Sequence, residues 1–309
     1  MRAVVFAYHN VGVRCLSVLL AHEVEVALVV THQDDAKENI WFESVAGLAA
    51  LHGIPSITPA DPNDSAVVAR VAALAPDIIF SFYYRLMLKA PLLALAARGA
   101  YNMHGSLLPK YRGRAPVNWA VLNGERETGA TLHRMLEKPD AGAILAQQAV
   151  PILPDDTAIE VFQKVTMAAE IALDDVLPEL LAGKAKEHAQ DLSQGRYFGA
   201  RGPEDGRIDW RSGAQDIHNL VRAVAPPYPG AFCLFQDKTL RVLRSFQCKQ
   251  RQARSAAPGL YAEKDALYAD CADGRVLRLL DLEYAGEPLD AAGFTARFGP
   301  EKRLLTSQS

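Results

Sequence analysis

The sequence has no apolar run long enough to cross a membrane. A spanning helix needs about 18 consecutive apolar residues, and even the leucine-rich stretch after Pro91 is interrupted by Arg98 and Gly99. The chain passes from Met1 directly into a short apolar pattern, without the long apolar region and small-residue cleavage site of a secretory signal. We therefore expect a cytoplasmic protein that does not insert into membranes.

Cysteine is scarce, and its spacing is uninformative for metal binding. Cys15, Cys233, Cys248 and Cys271 are scattered, with no Cys-x-x-Cys pair and no histidine near enough in sequence to complete a zinc site. We expect buried free thiols, because unpaired cysteine behaves as a small apolar residue. No bound metal is predicted.

The sequence also lacks an excess of charge of either sign. Its 33 Lys and Arg against 36 Asp and Glu give a net charge of -3, so no overall field attracts a polyanion, and a nucleic-acid partner is not expected. There is no internal repeat or low-complexity tract. A chain of 309 residues with half of them apolar can bury two moderate cores, so we predict two domains.

The first half of the chain alternates strand and helix patterns. Apolar, β-rich runs predict strands over residues 4–8, 24–31, 77–83 and 99–103, and amphipathic segments predict helices over 11–22, 42–52 and 65–74. This alternation is typical of a parallel sheet covered by helices, so the predicted fold class is α/β with a Rossmann-like first domain.

The second half changes character after a long helix predicted over residues 157–181. A helix over 214–224 precedes short alternating runs over 239–246, 266–271 and 276–282, separated by Gly and Asp turns, which indicate a small antiparallel barrel. Residues 194–205 are rich in Gly and charge and are interpreted as a linker. The predicted boundaries are 1–193 for the first domain, 194–205 for the linker and 206–309 for the second domain.

A concentration of polar residues follows the predicted strand 99–103. Asn102 and His104 are two positions apart, so their side chains project from the same face of a strand. They also lie where open α/β sheets bind ligands, beyond the carboxyl ends of strands. One side chain can hold a carbonyl oxygen while the other handles a proton. The alternative is a structural histidine with ordinary partners.

Three separated motifs carry a resemblance to a known family. The pattern Asn102-x-His104-x-Ser106-Leu107-Leu108-Pro109 is followed by Thr131-Leu132-His133 and then by Asp140-Ala141-Gly142. In this order and spacing they resemble the signature of the folate-dependent formyltransferases. The resemblance implies a Rossmann-like first domain, an OB-like second domain and an enzyme that uses 10-formyltetrahydrofolate as co-substrate.

Within the family, the sequence most resembles the branch that formylates UDP-4-amino-4-deoxy-L-arabinose in bacterial lipid A modification and polymyxin resistance. The likeness covers nearly the whole chain, and the supporting residues include Phe6-Ala7-Tyr8-His9, Ser81-Phe82-Tyr83-Tyr84-Arg85 and the run from His104 to Pro116. The two-function version continues into a dehydrogenase-decarboxylase module. We therefore expect either a stand-alone transferase or a shortened form of a longer protein.

The resemblance also implies roles for individual residues. The catalytic residues would be Asn102, His104 and Asp140. The folate carrier would contact Leu86, Met87, Leu88, Arg114, Leu136, Glu137, Lys138, Pro139 and Asp140. Arg112, Arg114 and Arg201 could pair with the diphosphate of a UDP-amino sugar, since guanidinium groups match phosphate oxygens. Arg201 could equally be a solvated surface charge.

The chemistry of formyl transfer explains the three catalytic residue types. Attack of an amine on the formyl carbon develops negative charge on oxygen and leaves an extra proton on nitrogen. We expect the Asn102 amide to stabilise the oxyanion, and His104 to relay the proton. Asp140 would raise the pKa of His104 by its negative charge. Without the resemblance, Asp140 could equally be a turn residue before Gly142.

Three other functions remain open at this stage. Methionyl-tRNA formyltransferases share the motifs, but an RNA-binding version should be basic in the loop after the second strand, and residues 33–39 here are acidic. A non-catalytic folate or nucleotide-binding module and a hydrolase that deformylates the carrier are further alternatives. The sequence leaves open the amino sugar, its nucleotide and the oligomeric state.

Overall fold

The computed structural model describes residues 1–35 and 39–305, and the chain divides into two compact units. The first comprises Met1–Pro116, Glu127–Pro151 and Phe162–Gly199, and the second comprises Val117–Arg126, Ile152–Val161 and Ala200–Ser309. The domain and linker boundaries given above stay predictions. Residues 36–38 of the acidic loop 33–39 and residues 306–309 of the predicted second domain lie outside the described residues.

The first unit is built on one large sheet. Its strands are β1 (Arg2–Ala7), β2 (Glu25–Val30), β3 (Ser56–Ile57), β4 (Ile78–Phe82), β5 (Ala100–His104), β7 (Glu127–Arg134) and β8 (Ile144–Pro151), while β6 (Arg112–Gly113) pairs with β9 (Tyr197–Phe198). The order in the sheet is β3-β2-β1-β4-β5-β7-β8. In this order, each neighbouring pair from β3 to β5 is parallel, whereas the pairs β5–β7 and β7–β8 are antiparallel. The α/β class is therefore confirmed.

Helices follow most strands of this sheet. They are α1 (His9–Ala21), α2 (Val45–Leu51), α3 (Ser65–Ala73), α4 (Ala90–Leu93), α5 (Pro116–Leu122) and α6 (Ala158–Leu181). Residues 117–122 of α5 and 158–161 of α6 belong to the second unit. Apolar periodicity explains α1, whose buried face includes Val11, Cys15 and Leu19. The side chain of Asp64 caps α3 by accepting from the Ala66 N–H.

The core of the first unit explains why its strands are apolar. All five residues of β4 are buried, as expected for a central strand covered on both faces. One core cluster joins β1, β2 and β4 through Val4, Leu28 and Ile79 to the helices on that face. The polar residues that follow β4 and β5 therefore extend from a well-buried part of the sheet.

The second unit contains an antiparallel sheet. Its strands are β10 (Ala231–Phe235), β11 (Lys238–Gln252), β12 (Gly259–Glu263), β13 (Ala266–Asp270), β14 (Arg275–Tyr284), β15 (Glu287–Pro288) and β16 (Arg303–Leu304), with helices α7 (Ala214–Ala223) and α8 (Ala291–Phe298). The main path is β10-β11-β14-β13-β12-β16. Its core contains Trp210, Phe235 and Phe294. This curled antiparallel sheet is consistent with the OB-like fold expected for the second domain.

Two further properties bear on the sequence predictions. All four cysteines are free, and Cys15, Cys233 and Cys271 are buried while Cys248 is partly exposed. Across the described part of the chain, no helix combines the length and the apolar character needed to span a bilayer.

Candidate active site

A cavity of about 400 Å³ opens in the first unit beside the carboxyl ends of β4 and β5. It is lined by Ser81, Tyr83, Tyr84, Arg85, Leu86, Met87, Leu88, Asn102, Met103, His104, Gly105, Gly113, Arg114, Ala115, Pro116, His133, Met135, Leu136, Pro139, Asp140 and Tyr197. The three residues Asn102, His104 and Asp140 therefore share one cavity, although Asp140 is far from the other two in sequence.

Asn102 is oriented by a histidine on the neighbouring strand. The β5–β7 register places Asn102 opposite His133, and Asn102 Nδ2 lies 3.2 Å from His133 Nε2. His133 Nδ1 lies 2.9 Å from the carbonyl oxygen of Arg134. Because a carbonyl only accepts, His133 Nδ1 is the donor, and Nε2 accepts from the Asn102 amide. The pairing fixes which way the Asn102 side chain faces.

His104 is buried at the end of β5, with 6% of its surface exposed. Its Nε2 donates to the carbonyl oxygen of Tyr111 over 2.8 Å, and its Nδ1 lies 3.6 Å from Asp140 Oδ1. The Nε2 hydrogen is thus committed to the protein backbone. Nδ1 is the ring atom that remains for chemistry beside the carboxylate.

The loop after His104 is held by hydrogen bonds of its own motif residues. Ser106 Oγ donates to the Lys110 carbonyl over 2.6 Å, and Thr131 Oγ1 donates to the Ser106 carbonyl over 2.6 Å. Thr131 Oγ1 also accepts from the Leu108 N–H over 3.1 Å. These bonds explain why Ser106 and Thr131 occur in the two motifs. They hold the loop whose Tyr111 carbonyl accepts a hydrogen bond from His104.

Gly105 is required by a close approach within the cavity wall. A Cβ added at Gly105 would overlap the hydroxyl group of Tyr83. Tyr83 itself adopts a left-handed backbone conformation with φ 56°, which is uncommon for a bulky side chain. Sequence reasoning assigned no site role to Tyr83, because neither feature is visible without coordinates.

Asp140 lies in a turn between β7 and β8 and contacts both histidines. Its Oδ1 is 3.6 Å from His104 Nδ1 and 3.6 Å from His133 Nε2, and its Oδ2 accepts from the Gly113 N–H over 2.8 Å. The residue has φ 51°, a left-handed conformation that Asp tolerates better than most residues. Asp140 is therefore both a turn residue and a close neighbour of the two imidazoles.

Burial dominates the ionisation of His104. It holds the pKa of His104 below the ordinary value, although Asp140 and the Tyr111 carbonyl act to raise it and His133 acts to lower it. Asp140 thus acts in the direction expected from the sequence, but its effect is smaller than that of burial. At neutral pH the imidazole is neutral, which is the form that accepts a proton.

Asp140 is ionised throughout the neutral range. Burial is the largest single influence and raises the pKa of Asp140, but His104, His133 and the Gly113 N–H together outweigh it and lower the pKa to about 2. The site therefore combines a fixed negative charge with a neutral imidazole.

The predicted carrier-binding residues divide into two groups. Leu86, Met87, Leu88, Arg114, Leu136, Pro139 and Asp140 line the cavity. Glu137 and Lys138 belong to the same turn as Asp140, but they are exposed and do not line it. Apolar residues thus form much of this wall, as in most small-molecule binding sites.

The predicted substrate arginines have very different environments. Arg112 is only 8% exposed, and its Nη2 donates to the carbonyls of Leu192 and Gly195 over 3.3 and 3.0 Å. It does not line the cavity, so the geometry argues for a structural role. Arg201 lies in the second unit, where its guanidinium stacks over the Trp119 ring at 4.7 Å and donates to the Asp205 carbonyl.

His133 contacts Asn102 and Asp140, and the sequence analysis gave it no role. It is present in the Thr131-Leu132-His133 motif, but its pairing with Asn102 follows from the β5–β7 register, and neither β7 nor β8 was predicted.

Within residues 1–35 and 39–305, no group of three or more His, Cys, Asp and Glu is arranged to hold a metal ion.

Known three-dimensional structures share this fold. An N-formyltransferase from Helicobacter canadensis, solved with folinic acid and dTDP-3-aminofucose, is 19% identical with a TM-score of 0.70, covering 90% of this chain and 98% of that chain. WlaRD, a sugar 3N-formyltransferase solved with dTDP and 5-N-formyl-THF, is 19% identical with a TM-score of 0.72, covering 93% and 98%. HypX from Aquifex aeolicus, solved with tetrahydrofolic acid, is 19% identical with a TM-score of 0.65, covering 96% of this chain and 47% of that chain.

Family matches cover both halves of the sequence. Residues 202–299 match the formyl transferase C-terminal domain. Residues 11–177, more than half of the chain, match the formyl transferase family, and the fold and the motif residues around the cavity agree with that match. The chain is therefore an enzyme of the formyl transferase family.

Proposed function

We propose that this enzyme transfers the formyl group of 10-formyltetrahydrofolate to the amino group of a nucleotide-linked amino sugar. The observation that carries the proposal is the grouping of an amide, an imidazole and a carboxylate in one cavity, with His104 Nδ1 3.6 Å from Asp140 Oδ1. Structural relatives solved with a folate derivative and a dTDP-sugar or dTDP support this assignment of the two ligand classes.

The amide of Asn102 is proposed to stabilise the tetrahedral intermediate. Its Nδ2 carries two hydrogens, and His133 uses one of them. The other is available to a developing oxyanion at the formyl carbon. Such donors contribute most when they are oriented before the reaction, and the contact with His133 supplies that orientation.

His104 is proposed to move the proton. The amine nitrogen forms a bond to the formyl carbon, and His104 Nδ1 accepts the proton that the nitrogen loses. When the bond from the formyl carbon to folate N10 breaks, His104 returns a proton to N10. Asp140 stabilises the imidazolium between these steps, since a carboxylate 3.6 Å from Nδ1 favours the charged ring.

The carrier is proposed to occupy the wall formed by Leu86, Met87 and Leu88 and by the turn from Leu136 to Asp140, with Arg114 nearby. Met87 and Leu136 are 49% and 47% exposed, so the cavity presents apolar surface for a pterin. Glu137 and Lys138 are proposed to act at the outer rim. We assign Arg112 to holding the loop, so that Arg114 and Arg201 are the candidates for the diphosphate.

For the acceptor we propose UDP-4-amino-4-deoxy-L-arabinose, and with it a cytoplasmic step in lipid A modification and polymyxin resistance. Two segments that carry the resemblance support this choice, namely Ser81-Phe82-Tyr83-Tyr84-Arg85 and residues 104–116. From these segments Tyr83, Tyr84, Arg85 and His104 line the cavity. Known relatives with a dTDP-sugar or dTDP make dTDP-amino sugars the matched comparison.

The test supplies purified protein with 10-formyltetrahydrofolate and one acceptor at a time. We expect formylation of UDP-4-amino-4-deoxy-L-arabinose, a lower kcat/KM with dTDP-linked amino sugars, and no product with charged initiator tRNA. The His104→Ala variant should remove the activity. Product with tRNA alone, release of formate without an acceptor, or full activity of His104→Ala would each overturn the proposal in favour of one of the alternatives.

A further inference from the structure

A segment that follows α6 lies across both loops of the active site. We call residues 188–198 the strap. His188 and Ile144 exchange two backbone hydrogen bonds of 2.8 Å at its start, and β6 and β9 pair at its end. The strap belongs wholly to the first unit, although its last residues fall within the segment predicted to be a linker.

The strap holds the turn that carries Asp140 through one side chain. Gln190 Nε2 donates to the carbonyl of Asp140 over 3.1 Å and to the carbonyl of Gly142 over 2.6 Å. Its Oε1 is buried and has no hydrogen-bond partner among the described residues. A flipped amide would place that oxygen against two carbonyl oxygens, so only one orientation of Gln190 is favourable.

The strap also holds the loop that supplies the partner of His104. Arg112 Nη2 donates to the strap carbonyls of Leu192 and Gly195, and the Tyr111 ring stacks on Phe198 with centroids 4.9 Å apart. Tyr111 is the residue whose carbonyl accepts from His104 Nε2. The two neighbours of the imidazole, one on each side, are thus fixed from the same segment.

From this geometry we propose that the strap is the positioning element of the active site, and that Gln190 is the positioning residue for Asp140. Asp140 occupies a left-handed conformation (φ 51°) in the turn whose carbonyls accept from Gln190. By binding the carbonyls on both sides of Ala141, Gln190 keeps the carboxylate between His104 and the Gly113 N–H. The proposal rests on the proposed function for its catalytic consequence, but not for its structural one.

The Gly113 amide reports the position of the carboxylate directly, because its N–H donates to Asp140 Oδ2 over 2.8 Å. The test compares Gln190→Met, which keeps the length but removes the donors, with Gln190→Glu, which offers acceptors only. Gln148→Leu is the matched control, since the Gln148 amide donates to the carbonyl of its sequence neighbour Ala149 and to no other group among the described residues. Asp140→Asn is the reference for a weakened carboxylate contact.

We expect hydrogen exchange at the Gly113 amide to be about five- to tenfold faster in Gln190→Met, with no change in the control. In the activity assay, kcat should fall roughly ten- to hundredfold, because small displacements of catalytic groups are costly, while KM for the amino sugar stays within about twofold. In an Asp140→Asn background the same substitution should have almost no further effect on kcat, because both changes act through one carboxylate.

Unchanged Gly113 exchange in both Gln190 variants would overturn the proposal, as would a loss of kcat that is the same with and without Asp140. If Gln190→Met does not fold, Gln190→Glu provides the same exchange measurement. The exchange experiment needs no substrate. If the wild-type protein transfers no formyl group, the proposed function is wrong. The positioning role of Gln190 can still be tested by hydrogen exchange in that case.

Discussion

Each unit of the molecule contains a buried histidine beside an aspartate, and only one of the two pairs suits catalysis. His104 and His218 are 6% and 2% exposed, with Asp140 and Asp155 oxygens at 3.6 and 3.4 Å. Burial is the largest influence at both sites and lowers both pKa values. Burial and a nearby carboxylate therefore do not distinguish the two.

The difference lies in the second ring nitrogen. His218 Nδ1 accepts from the Ser245 hydroxyl over 2.9 Å, and its Nε2 donates to the Pro154 carbonyl over 3.1 Å. Both nitrogens of His218 are thus satisfied by uncharged groups of the protein. His104 commits only Nε2, and within the described residues Nδ1 has the Asp140 oxygen at 3.6 Å as its polar neighbour.

Cavity size alone would favour His218 over His104 as the site of chemistry. His218 borders a cavity of about 1120 Å³ in the second unit, whereas the cavity at His104 has about 400 Å³. The larger cavity is bordered by a histidine whose two ring nitrogens are both hydrogen-bonded to the protein. A ring nitrogen without a protein hydrogen bond, facing a cavity beside a carboxylate, is the more useful criterion for a proton-transfer site.

The largest expected effect separates the two histidines by activity. His104→Ala should lower kcat/KM by roughly 10²- to 10⁴-fold, the usual contribution of general acid–base catalysis. His218→Ala should leave kcat nearly unchanged and lower the free energy of unfolding by about 1–3 kcal/mol, since Ser245 and Pro154 lose a buried partner. Steady-state kinetics and urea unfolding of both variants measure this contrast. Equal losses of activity would show that the satisfied nitrogens do not matter.

The next effect extends the comparison to asparagine. Asn102→Ala should lower kcat by about 10²- to 10³-fold, because one oriented oxyanion donor is lost. Asn118 is the matched control in the second unit, where its Nδ2 donates to the Ala223 carbonyl over 2.8 Å. Asn118→Ala should affect unfolding and leave kcat unchanged. A rise of KM in Asn102→Ala without a fall of kcat would mean that the amide binds substrate instead.

Local patterns were enough to predict much of this architecture. The strands predicted over 4–8, 24–31, 77–83 and 99–103 lie within two residues of β1, β2, β4 and β5. Their signal is strong because a central parallel strand is apolar along its whole length. The strands β7 and β8 escaped prediction, since residues such as Thr131, His133 and Gln147 interrupt the apolar pattern for reasons of the site.

The motifs predicted which residues meet but not how they are held. Asn102 and His104 share a strand face by simple alternation, so their proximity follows from the sequence. The pairing of Asn102 with His133 depends on register across two strands, and the bonds of Gln190 span about 50 residues. Such contacts leave no local pattern. The burial of Arg112 could not be predicted from the sequence either, because it depends on contacts with the distant carbonyls of Leu192 and Gly195.

A smaller effect concerns the pH dependence of stability. Because the folded-state pKa values of His104 and His218 are depressed, the unfolded chain binds protons more readily as pH falls below its ordinary histidine pKa of about 6.5. The free energy of unfolding should decrease from that pH downward. Asp140 adds a second loss between its ordinary pKa and about 2. His218→Asn should flatten the first decrease in urea titrations, and an unchanged slope would contradict the assignment.

The smallest effects are expected at Arg112 and Arg201, two of the arginines predicted to bind the diphosphate. Arg112→Met should lower the free energy of unfolding by about 1–3 kcal/mol, because the half-buried residues Leu192 and Gly195 lose the charged donor to their carbonyls. Arg201→Met removes a cation–π contact with Trp119 that contributes about 0.5–1 kcal/mol, so its unfolding should change little. If Arg201 binds the diphosphate, KM for the UDP-amino sugar should rise several-fold while KM for the folate carrier stays constant. Unchanged KM values would assign Arg201 to the surface, and a specific rise of the sugar KM in Arg112→Met would restore that arginine to substrate binding.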